Sequence, residues 1–148
     1  MNNKEKDDLY YVCCLIEYIG RKTKNRRANI VKIIGKDELK RLLEVADVNH
    51  TLSFEQVSDE IIEYAGITEG DYDSVGDCIY DVPNFLFIGR NYQRLIIDVK
   101  KDDEEVVETL MKVFTSFVSD EISNFNSSVY YSSREYIKAI YEEGKMLG

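Results

Sequence analysis

The chain has 148 residues and a mass of 17.2 kDa, enough for one substantial core, and its 44% hydrophobic content excludes a disordered chain despite 32% charged residues. A net charge of −9 repels phosphate at long range, which argues against general binding to nucleic acid or to an anionic membrane. One proline and eight glycines leave few forced breaks, so long regular elements are expected.

Leu9, Val12, Cys13, Ile16 and Ile19 recur with the spacing of an amphipathic helix, which Gly20 and a basic run are expected to end. Asn25 is placed to cap a second helix carrying Ile30, Val31 and Ile34, closed by Gly35. Asp37 is placed to cap a third, with Leu39, Leu42, Leu43 and Ala46 on one face. Ser53-Phe54-Glu55-Gln56 fits a capping box ahead of a fourth helix bearing Phe54, Val57, Ile61 and Ala65, stopped by Gly66. Residues 1–66 thus read as a four-helix unit.

Residues 67–83 are acidic and turn-rich, and read as a loop or linker. Beyond them, Phe85, Ile88, Tyr92, Leu95, Ile96 and Val99 keep helical spacing. Their aromatic and β-branched character makes a hairpin of Phe85–Ile88 and Leu95–Val99 the competing reading. Asp102-Asp103-Glu104-Glu105 suits a helix N-terminus, and Val107, Leu110, Met111, Phe114, Phe117 and Val118 form the strongest helical pattern in the chain. Ser123–Ser128 is a polar loop. Ser132-Ser133-Arg134-Glu135 repeats the capping pattern before a last stripe of Ile137, Ile140 and Tyr141, ended by Gly144. The expected fold is mainly α, a compact bundle of about seven helices whose second half, 84–148, packs on the first.

The feature that stands out is the run Arg21-Lys22-Thr23-Lys24-Asn25-Arg26-Arg27, five cations in seven residues. Up to Ala65 the chain holds 11 Lys and Arg against 12 Asp and Glu; after it, 8 against 16, so the net negative charge sits almost wholly in the second part. Arg21, Lys22, Lys24, Arg26 and Arg27 are therefore candidate contact residues, for an acidic protein surface, a second copy or a phosphate backbone. A helix–turn–helix reader also needs polar side chains aimed at base edges, and Ala28–Ile34 offers only Asn29 and Lys32. The bland alternative is a solvated basic face between two helices.

Catalytic and metal chemistry find little footing. Asp71-Tyr72-Asp73-Ser74-Val75-Gly76 begins like a calcium loop, but Val75 and Val82 stand where oxygen ligands are required. His50 is the single histidine, and with Cys13, Cys14 and Cys78 it makes no zinc site of ordinary spacing. Cys13 lies on an apolar stripe, where an inert buried thiol is the default. The paired acids fall on helix ends and polar faces, and phosphate-binding glycine motifs are lacking. No catalytic, cofactor or metal residue is assigned.

Eleven tyrosines, with no tryptophan and six phenylalanines, are an unusual aromatic balance. Tyr130, Tyr131 and Tyr136 cluster near the C-terminus, and exposed tyrosines are favoured at protein interfaces. They join the basic run as candidate interaction residues.

Tyr11-Val12-Cys13-Cys14-Leu15-Ile16-Glu17-Tyr18-Ile19, then His50-Thr51, then Glu55-Gln56-Val57-Ser58-Asp59-Glu60-Ile61-Ile62-Glu63-Tyr64 resemble a short bacterial domain family of unknown function. That family shows an apolar first helix with Cys-Ile-Glu, a Leu-His-Thr-like element and a final acidic helix. The resemblance covers residues 9–65; the chain departs from it in Asn49 before His50, in the denser basic run and in its whole second half. Such genes often lie near one for an ADP-ribosyltransferase-like protein, so the resemblance implies an antitoxin-like or accessory role, with no functional residue to carry over. The expectation is a small cytoplasmic bacterial protein without enzymatic activity that binds another protein or itself, with a DNA-associated regulator as the alternative. The charged N-terminus has no signal-peptide character, and the roughly 20 successive apolar residues of a bilayer span are not found.

Overall fold

The computed structural model describes residues 1–147, and among these there are nine α-helices, one short 3-10 turn and no strand. In chain order they are α1 (Asn3–Thr23), α2 (Arg27–Ile34), α3 (Lys36–Glu44), α4 (Ala46–Asn49), α5 (Phe54–Ala65), α6 (Phe85–Val99), α7 (Val106–Phe114), α8 (Phe117–Ile122) and α9 (Arg134–Glu143), with the 3-10 turn at Val129–Tyr131. The helical reading of 85–99 holds and the hairpin is excluded: α6 is a continuous 15-residue helix, capped by the Asn84 side chain accepting from Leu86 N–H. Apolar positions three and four apart bury one face of a helix, which a two-residue strand period could not do here.

α1 is the axis of the molecule. Asn2 and Glu5 form a reciprocal capping box at its start, and the helix runs past Gly20 to Thr23 before Lys24 closes it in the left-handed conformation (φ 55°). Its buried residues lie on nearly every side, from Leu9 and Tyr11 to Ile19 and Gly20, as expected of a helix surrounded by others. Its largest interface is with α6, so helices from the two halves pack directly on each other and one continuous core spans both. The two backbones approach closely at Gly89: a Cβ there would meet the Cys14 side chain and come within 2.9 Å of Cys14 N and Cα.

Several local expectations shift. Asn25 does not cap α2; Arg26 occupies the cap position without a side-chain bond, and the Asn25 amide instead donates to Thr23 and to Thr68 O. Gly35, not Asp37, precedes α3, leaving Asp37 in the first turn beside the helix dipole. Ser53 caps α5 as expected, and in the last helix Ser133 rather than Ser132 accepts the capping bond, from Tyr136 N–H. The strong pattern from Val107 to Val118 is split into α7 and α8. Thr115 Oγ1 and Ser116 Oγ turn back to the carbonyls of Met111 and Val113, 2.6 and 2.7 Å away, a competition that breaks the helix ladder.

Residues 67–83 form no regular element, yet they are fastened to the α1–α2 turn. Gly70 N–H donates to Thr23 O at 2.8 Å and Tyr72 N–H to Lys24 O at 2.9 Å. No helix among the described residues is long and apolar enough to cross a membrane.

Candidate protein-interaction surface

The basic run lies where α1 turns into α2, and every one of its cations faces a carboxylate. Glu17, on α1 and fully buried, is the hub: its Oε1 accepts from Arg27 Nε (2.9 Å) and its Oε2 from Arg27 Nη2 (2.7 Å) and Arg21 Nε (2.8 Å). Ser123 Oγ donates to Oε1 at 2.9 Å, Arg27 Nη1 donates to Asn25 O, and Arg27 Nη2 also reaches Ser74 Oγ at 2.9 Å. Burial pushes the Glu17 carboxyl up, but the guanidinium groups of Arg27 and Arg21 outweigh it and hold the group below the usual carboxylate range. Arg27, itself buried, is likewise lowered by desolvation and raised further by Glu17, with a net upward shift. Gly20 makes the space: a Cβ there would collide with the Arg27 side chain. The remaining cations pair at the surface, Lys22 with Asp59 (2.5 Å), Arg26 with Asp120 (3.0 Å) and Lys24 with Glu69 (3.4 Å).

Two members of this centre, Glu17 and Ser123, are 106 residues apart, and Tyr92 completes it by hydrogen-bonding Ser119 O and Ser123 Oγ. Sequence reasoning passed over Glu17, Ser74, Tyr92 and Ser123. The available signal was a single acid inside the apolar stripe of α1, which only a buried cation could offset.

The tyrosines divide. Tyr130 is 4% exposed, Tyr131 is 76% exposed, and half-buried Tyr136 sits apart, its hydroxyl donating to Leu147 O. Tyr130 and Tyr131, 4.4 Å apart between ring centres, stand beside Phe87 of α6, which is edge-on to Tyr130 at 6.2 Å. Across from them run Ile79, Tyr80 and Asp81, and between the two segments opens a groove of about 640 Å³ floored by Phe125. Ile79 and Tyr80 are 77% and 65% exposed. Asn126 ties the walls together like a short strand: its Oδ1 accepts from Ile79 N–H and its Nδ2 donates to Asp77 O, both at 2.9 Å. Asn91 Nδ2 holds Tyr130 O from α6 at 3.1 Å. The structure therefore brings Tyr130 and Tyr131 to one surface with Ile79, Tyr80 and Phe87, which the sequence did not single out.

The segments flanking the groove are acidic; the nearby Arg21 guanidinium, 4.6 Å over the Phe125 ring, is paired with Glu17. Residues 67–89 contain five acids and no Lys or Arg, and residues 113–133 contain Asp120 and Glu121 and no Lys or Arg. Glu69 and Asp120 are neutralised by Lys24 and Arg26, whereas among the described residues no cation pairs with Asp77, Asp81 or Glu121. An apolar, tyrosine-lined groove in a negative field suits a ligand with cationic and aliphatic parts.

Cys13 is fully buried, with burial pushing its thiol well above the usual range; His50 is exposed at the end of α4. Among the described residues no group of three or more His, Cys, Asp or Glu is arranged to hold a metal ion. Compared with known proteins, the chain matches no family model, no curated protein and no solved structure.

Proposed function

We propose that this protein is a non-catalytic protein-binding module, antitoxin-like or accessory in role, whose groove between residues 79–81 and 125–131 receives a Lys- or Arg-bearing segment of its partner. The observation that carries the reading is the exposed ledge of Ile79, Tyr80 and Tyr131 over a groove whose flanking segments hold no cation. Folding leaves large apolar side chains in water only at a cost, and covering them on binding recovers about 25 cal/mol for each Å² buried. Tyrosine adds a flat face for an aliphatic or guanidinium group and a polar tip for hydrogen bonding. Such a surface would mask a basic patch on the partner.

The nucleic-acid reading draws no comparable support. Arg27 is buried, Arg21 is committed to Glu17, and Lys22, Lys24 and Arg26 already face carboxylates, so phosphate would have to displace existing pairs.

The test is capture and reconstitution. The parent protein, Tyr80→Ala/Tyr131→Ala and Arg26→Gln are each used to capture a partner from native cells, and the purified partner is then titrated against each. The expected result is binding by the parent and by Arg26→Gln, weakened by salt and lost in the double tyrosine variant. Binding that survives the tyrosine changes but fails with Arg26→Gln, or low-salt DNA retention that depends on Arg26, would remove the proposal.

A further inference from the structure

A second concavity lies elsewhere, between the first half of α1, α4 with its following turn, and the start of α6. It encloses about 530 Å³, within the range of small-molecule clefts, and is lined by Tyr10, Tyr11 and Cys14 of α1, Phe54, and Leu86 and Arg90 of α6. Charged groups add to the lining: Lys4, Asp7 and Asp8 from α1, Asp47 from α4, and His50.

Two groups in this wall are chemically unspent. Tyr11 is only 9% exposed and its ring stacks on Phe54 at 5.3 Å, yet its buried hydroxyl meets no hydrogen-bond partner among the described residues. Buried phenols normally find one, because an unpaired hydroxyl loses its hydration without compensation. Burial also pushes the Tyr11 phenol up to about 12, so it remains a proton donor at neutral pH. The second group is Arg90. Arg21, Arg26, Arg27, Arg41 and Arg134 each hold a carboxylate, whereas Arg90 lies 3.8 Å over the Tyr10 ring and donates only from Nη1 to Gln93 Oε1 at 2.7 Å. Among the described residues Arg90 pairs with no carboxylate, and its charge also acts on the Tyr10 phenol. A guanidinium with free N–H groups matches a carboxylate.

The acids at the mouth set a further condition. Asp8 is neutralised by Lys4 at 2.8 Å, but Asp7 and Asp47 are exposed and no cation pairs with them among the described residues. They repel a simple anion and attract an ammonium group. Phe54, Leu86 and Ala46 supply apolar wall between the two kinds of charge. Cys14 adds no covalent chemistry, since burial pushes its thiol up to about 12 and Sγ points to Leu86 O.

We propose that this cleft binds a small zwitterion with an apolar body, of the α-amino-acid type, its carboxylate on Arg90 and its ammonium toward Asp47 and Asp7, with Tyr11 Oη a further donor in the wall. This site is separate from the groove and does not depend on the partner reading.

The experiment titrates the full-length protein with L-phenylalanine, with 3-phenylpropionate, which lacks the ammonium, and with 2-phenylethylamine, which lacks the carboxylate, following backbone amides by NMR. Saturable shifts at residues 10–14, 47–50 and 86–90 are expected with L-phenylalanine, and binding about tenfold or more weaker with either truncated compound. Arg90→Gln should weaken L-phenylalanine and 3-phenylpropionate while leaving 2-phenylethylamine unchanged. Tyr11→Phe removes a hydroxyl that has no partner among the described residues, so the fold is retained and the loss of affinity reports on the ligand. No saturable shift with L-phenylalanine, equal binding of all three compounds, or unchanged affinity in Arg90→Gln would each overturn the proposal.

Discussion

Around Glu17, arginine, serine and tyrosine side chains are buried and pair with one another, whereas at residues 79–81 and 125–131 serine and tyrosine rim a groove that the fold leaves open. A carboxylate taken from water into a helix bundle must be met by several donors, and Glu17 is met by two guanidinium groups and a hydroxyl. Tyr80 and Tyr131 face no such demand because their rings stay in solvent. Two of the five cations of the basic run, Arg21 and Arg27, serve the interior, and the candidate surface joins Tyr130 and Tyr131 to residues 79–81 and Phe87.

Breaking the ionic centre should produce the largest effect. Arg27→Met leaves the Glu17 carboxylate buried with Arg21 its one remaining cation and Ser123 its one hydroxyl donor, and the expected loss is about 3–5 kcal/mol in urea unfolding. Replacing Glu17 and Arg27 together by Leu and Met should cost less than Arg27→Met alone, because no unpaired charge then remains. A smaller loss for the single change would show that Arg21 suffices.

Next comes the close contact that fixes α1 against α6. Gly89→Ala forces a methyl into the Cys14 backbone, with an expected destabilisation of about 1–3 kcal/mol and no selective effect on the groove. Equilibrium unfolding measures it, and an unchanged midpoint would mean that the two helices shift apart freely.

Acid sharpens the contrast. The folded Glu17 carboxyl is held below its ordinary value of 4.5, so its contribution is complete above that pH and lost as pH falls through the lower folded value. Stability of the parent should therefore decline on acidification more steeply than that of Glu17→Gln. Glu104, also held low by its bonds from Lys112 and Thr109, is common to both proteins and cancels in the comparison. Parallel pH profiles would contradict the assignment.

At the groove the two measurements should part company. Tyr131→Ala should alter stability by no more than about 0.5 kcal/mol, while weakening the partner by about 2 kcal/mol if it is a central contact. The smallest effect belongs to the exposed end of the basic run: Arg26→Gln gives up a surface pair with Asp120 and a stacking contact over Tyr72, together about 1 kcal/mol, and should change partner binding little.

The helices were readable from the chain because their signal is local. Ile88, Tyr92, Leu95 and Ile96 recur at helical spacing, and the helix they imply is the one formed. Ser53 and Gly66 marked the ends of α5 by chemistry that acts within one turn. Where hydroxyls competed with the backbone, at Thr115 and Ser116, the same local pattern ran through a break it could not reveal.

The candidate surface was half legible. Tyr130 and Tyr131 stood out as a cluster, but Tyr80 and Phe87 belong to a loop and to another helix, and nothing in their own neighbourhoods points across the fold. By itself, then, the amino-acid order determined that this chain is helical and where most helices begin and end, since hydrogen bonds and apolar faces repeat over three or four residues. Tertiary structure alone decided that Arg27 turns inward to Glu17 while Tyr131 stays outside, because desolvation and pairing depend on which distant segments close over a side chain.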